Sequence, residues 1–120
     1  MKLTKKFKLD TYTCEVELII TDNLIDEVNK IYKKFKLSEK FDEPSEGLTL
    51  TIDLDKYYII INNEYLTHNT IAHEVYHLVV QVTEDRDIKD QEAQAWLCGH
   101  ITEIVYKFLE KKKLIIKHGR

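Results

Sequence analysis

Within TIAHEVYHLVVQV, residues 70–82, the run His73-Glu74-Val75-Tyr76-His77 spells HExxH. Histidines four apart on a helix stand one above the other, so two imidazole nitrogens can converge on a single metal ion. The glutamate between them is rotated aside, toward a water rather than toward the ion. That is the chemistry of metal-assisted hydrolysis: imidazole pairs with a further carboxylate suit zinc, and a catalytic site keeps one position open. Gln81 extends the same polar stripe, while Ile71, Val75, Leu78, Val79 and Val82 fall elsewhere on the helical wheel. A mixed polar stripe is also the ordinary solvent side of a helix, so two plainly hydrogen-bonded histidines stand as the alternative.

A third histidine in the pattern HExxHxxGxxH would need glycine at 80 and histidine at 83, where the chain has Val80 and Thr83. The expected third ligand is therefore a carboxylate from the next helix, Glu92, one short loop away. It starts a stripe with Ala95 and Gly99, small residues that permit close helix approach. Glu103 shares the face but lies about 16 Å further along the axis, so it is not expected at the ion. The alternative for Glu92 is a helix-start carboxylate facing the macrodipole. His100 is a weaker candidate for a ligand or transition-state contact, and His68, just before the motif, for a cap or oxyanion residue. His118 belongs to the tail, Trp96 to the core, and Cys14 and Cys98, without CxxC spacing, to the small buried hydrophobes.

The elements that must position these residues can be read from periodicity. YTCEVELII, residues 12–20, alternates Cys14, Val16, Leu18 and Ile20 with Thr13, Glu15 and Glu17, the pattern of a half-buried strand. Asp22 caps a helix in which Leu24, Ile25, Val28, Ile31, Tyr32 and Phe35 recur at helical spacing. KLSEKFDEPSEG, with the only proline, is a loop ending at Gly47. LTLTIDL, with Leu48, Leu50, Ile52 and Leu54 on one face, and YYIII then form a hairpin across Asp55-Lys56. Thr67 caps the motif helix, which runs to about Thr83. EDRDIKD is a charged connection, and QEAQAWLCGHITEIVYKFLEKKK a long amphipathic helix. The order is β-α-β-β-α-α: an α+β domain, a small mainly antiparallel sheet with helices packed on one face.

Composition limits the function classes. The 120 residues make one domain, 1–120, with 43% hydrophobic and 32% charged residues. A net charge of −3 argues against a nucleic-acid face, and the lysine-rich KKFK and EKKK read as solvated faces. No apolar run approaches the roughly twenty residues of a membrane span and no signal-like segment opens the chain, so a cytoplasmic protein without membrane contact is expected.

HExxH, a downstream glutamate in DQEAQAWLCGHI and a hairpin just before the motif helix together resemble the gluzincins, over roughly residues 48–108. The chain looks most like the small zincin-like proteins of phages and prophages, and more distantly like ImmA/IrrE-type metallopeptidases. The resemblance implies Zn2+ on His73, His77 and Glu92, Glu74 as general base, a peptide or protein substrate, and a setting in host cytoplasm or virion among other phage proteins. The alternative, from another functional class, is a non-catalytic zinc-binding phage structural or accessory protein that retains a zincin fold. Gluzincins often carry an aspartate four residues after the third ligand, where this chain has Trp96. No helix-turn-helix module accompanies the motif.

Overall fold

The computed structural model describes residues 1–117. Two central strands set the architecture. In β2 (Cys14–Thr21) and β4 (Lys56–Asn62) every second residue is apolar toward one side, but Ile19, Tyr58 and Ile60 are apolar and buried toward the other. Strands that are apolar on both faces must be covered on both. The helix α1 (Leu24–Lys34) accordingly packs Leu24, Val28 and Ile31 on one face. The pair α2 (His68–Asp85) and α3 (Gln91–Lys111) closes the other with Ile71, Val75, Leu78, Val82, Leu97, Ile101 and Val105. The fold is α+β with a mostly antiparallel sheet, as the periodicity indicates, but its helices lie on both faces and not on one.

The sheet has four strands in the order β1-β2-β4-β3, where β1 is Lys2–Leu9 and β3 is Gly47–Asp53. The pairs β1–β2 and β3–β4 are antiparallel, and β2–β4 is parallel. Strand β1 adds one element to the expected order. Its lysines hide a period of two, Leu3, Phe7 and Leu9, which faces the α2–α3 layer from the sheet edge. The β3–β4 hairpin is as the sequence suggests, with an irregularity between Thr51 and Asp53, though Leu54 turns outward and is 62% exposed. In β3, Leu48, Leu50 and Ile52 face α1, which leaves Gly47, Thr49 and Thr51 toward α2.

Helix ends follow side-chain capping. Thr67 caps α2 through Thr70 N–H at 3.0 Å and Asp90 caps α3 through Glu92 N–H at 3.1 Å. The cap of α1 is Asn23, not Asp22, which instead pairs with the N-terminal ammonium at 3.0 Å. No helix among the described residues is long and apolar enough to cross a membrane.

The far end of α2 is clamped to the sheet by a residue the charged connection concealed. Arg86 donates to the Tyr12 carbonyl at 3.0 Å, to the Tyr57 hydroxyl at 2.9 Å and to the Leu54 carbonyl, while Tyr57 donates to Asp85 at 2.6 Å. Burial first, then the Asp85 carboxylate, push the Tyr57 phenol up to about 12. An unfolded tyrosine ionises near 10, so Tyr57 contributes stability that is whole below pH ~10 and lost as pH rises toward 12. Tyr57→Phe should remove up to about 2.7 kcal/mol of that alkaline loss. Urea midpoints of both proteins between pH 8 and 12 measure it, and parallel curves would contradict the clamp.

Candidate metal centre

Helix α2 turns its apolar side to the sheet and its two histidines away from it. His73 and His77 are exposed, and their Nε2 atoms stand 3.0 Å apart with the rings at 77°. Two ligands of a tetrahedral ion at about 2.05 Å would stand about 3.3 Å apart, so this bite fits two positions of a zinc ion. Without an ion, the same distance is a hydrogen bond in which one ring donates and the other accepts.

Glu74 lies a quarter turn away, toward the sheet edge, and its side chain is 6% exposed. A buried carboxylate needs hydrogen-bond donors or positive charge beside it. The Thr49 hydroxyl donates to Oε1 at 2.8 Å, and Oε2 stands 4.0 Å from His73 Nε2. About two turns further on, Thr51 donates to Gln81, so the threonine face of β3 answers the polar side of α2. Gly47 makes the contact possible, because a Cβ there would sit 2.9 Å from Glu74 Cγ. His73 and Glu74 border an open cavity of about 350 Å³, shared with Ser45, Glu46, Asn69 and Thr70.

The expected third ligand is not brought to the pair. His68 Nδ1 meets Tyr106 Oη at 2.7 Å, and counting back from that contact along antiparallel helices puts Glu92 level with Val82. That is five residues, or about 7.5 Å of helix, beyond His77. Glu92 is exposed in the first turn of α3, the alternative reading of its place. Counted the same way, Glu103 is level with Ile71, about 3 Å of helix from His73, but it pairs with Lys107 at 2.7 Å. Among the described residues no three of His, Cys, Asp and Glu form a metal-binding group. The start of α3 adjoins the end of α2, whereas the motif occupies the first half of α2.

Other candidates resolve plainly. His68 ties α2 to α3 through Tyr106, and His100 stacks on Trp96 at 5.0 Å. Trp96 is 58% exposed rather than core, and at Gly99 a Cβ would meet nothing within 4 Å, so no close helix approach depends on it. Cys14 is buried, as its pattern suggests, whereas Cys98 is only partly so. His118 lies outside the described residues. The sequence marks Gly47 only as a loop end and does not show its place or that of Thr49 against Glu74, although LTLT sets its threonines opposite its leucines.

Gly47→Ala should cost about 1 to 3 kcal/mol by forcing Glu74 off its bed. Thr49→Val should cost a similar ~1 to 3 kcal/mol by leaving Oε1 without its donor. Urea unfolding checks both, and wild-type stability in the pair would mean that Glu74 is not held by β3.

No family model, curated protein or solved structure matches the chain.

Proposed function

We propose that the chain is a zinc-dependent peptidase of the gluzincin type, with His73 and His77 as metal ligands and Glu74 as general base. One observation carries the reading: a two-histidine bite with Nε2 atoms 3.0 Å apart stands beside a carboxylate pinned by Thr49, its second oxygen 4.0 Å from His73 Nε2. Thr49 fixes Oε1 and leaves Oε2 to take a proton from the attacking water and hand it to the leaving nitrogen. When bound, zinc would supply the Lewis acidity that makes such a water nucleophilic and polarises the scissile carbonyl. Strand β3 ends the sheet beside α2, so an extended peptide can add to its outer edge and lie alongside Glu74.

A second reading is favoured by the ligand count. Two exposed histidines without a converging third protein ligand suit a non-catalytic metal-binding role, such as that of a phage structural or accessory protein. The two readings part on Glu74, which only a hydrolase needs.

Purified protein loaded with one equivalent of zinc should cleave members of a peptide library. Glu74→Gln should keep the zinc, measured by equilibrium dialysis, and lose activity by about 10²- to 10⁴-fold. His73→Ala and His77→Ala should each weaken zinc binding by about tenfold or more. Stoichiometric zinc without cleavage would establish the second reading, and less than a tenth of an equivalent of metal would reject both.

A further inference from the structure

The lysine-rich segments at opposite ends of the chain, read separately as solvated faces, meet in the fold. Lys5 of β1, Lys107 and Lys111 of α3 and Lys112 just after it rim a cavity of about 360 Å³ whose floor is Ile104 and Phe108. Lys107 pairs with Glu103 at 2.7 Å, while Lys5, Lys111 and Lys112 have no carboxylate within ion-pair distance among the described residues. The Lys112 ammonium instead stands 6.0 Å from the Phe108 ring centroid. A protein of net charge −3 thus gathers uncompensated positive charge around an apolar groove.

Lysines on an edge strand ordinarily guard it against aggregation, and Lys2, Lys6 and Lys8 on β1 need no other explanation. Guarding does not require three further lysines on and just after a neighbouring helix, nor an apolar floor between them. Strand β1 also ends the sheet, so its outer backbone groups have no strand partner among the described residues. An occupant that satisfies all three features carries negative charge, an apolar anchor and backbone groups of its own. That favours an extended acidic polypeptide over a lipid headgroup or a nucleic acid, neither of which can extend a β-ladder.

We propose that the groove between β1 and α3 docks an acidic segment of a partner protein, which adds as a strand to the edge of β1 and sets an apolar side chain on Ile104 and Phe108. The surface is separate from the histidine site and does not depend on metal.

The probe is a fluorescein-labelled nonapeptide alternating glutamate with leucine, followed by anisotropy on the full chain. Binding with Kd below about 100 μM is expected, weakened about tenfold or more by Lys111→Glu with Lys112→Glu, by glutamine in place of glutamate, and by N-methylation of alternate peptide amides. Lys33→Glu, on the opposite face, should leave Kd unchanged. Lys111→Ala with Lys112→Ala should fall between, which separates lost attraction from added repulsion. Equal binding of the glutamine or N-methylated peptides would overturn the proposal. So would binding to phosphatidylserine vesicles or single-stranded DNA with no binding of the acidic peptide.

Discussion

Burial of the Glu74 carboxylate is the constraint on which the arrangement of this molecule turns. A carboxyl group 6% exposed on the inner side of a helix has to be met by donors from whatever packs there. What packs there is the threonine side of β3, with Thr49 donating and Gly47 leaving room. These two demands fix the orientation of β3, because a strand that offers Thr49 to α2 must offer Leu48 and Leu50 to the opposite side. Their apolar surface then needs a cover of its own, which α1 supplies through the cluster around Val28 and Ile31. The two-sided sheet and the polar bed under the motif are thus consequences of one alternation.

That alternation was legible in LTLTIDL, and so were the hairpin, all three helices and the Thr67 cap. What single-segment patterns could not give was the side each strand would choose. An alternating strand shows that its two faces differ, not which of them meets the motif helix. The same limit hid β1, where Leu3, Phe7 and Leu9 are diluted by four lysines that an edge strand tolerates. Periodicity reports burial on one face well and is nearly silent when the other face is solvated charge.

The pair His73 and His77 was legible for a stronger reason, since spacing within one helix is set by covalent geometry alone. Glu92 was not, because proximity between two helices depends on where they cross and which ends adjoin. The link at residues 86–90 is short, so the first turn of α3 must stay near the last turn of α2. A ligand from α3 at the level of the histidines has to come from later in that helix, where Gly99 stands with open space around it. The donor count at this site is therefore a property of helix pairing, and no reading confined to either helix could have settled it.

A two-histidine bite is useful only if its helix does not drift against its neighbours, and α2 is fixed at both ends by groups outside the motif. At one end His68 meets Tyr106 at 2.7 Å, and the Leu66 carbonyl just before the helix accepts from Lys117 N–H at 2.7 Å. At the other end Arg86 grips the Tyr12 and Leu54 carbonyls together with Tyr57. Between these anchors the inner side is closed by fully buried Ile71, Val75, Leu78 and Val82. Along this middle stretch the exposed residues are Ala72, His73, Tyr76 and His77, and the two imidazoles meet each other at 3.0 Å. A held backbone with the imidazoles turned to solvent is the distribution a ligand-binding stripe requires, because rings can adjust to an ion only if the turn that carries them holds still.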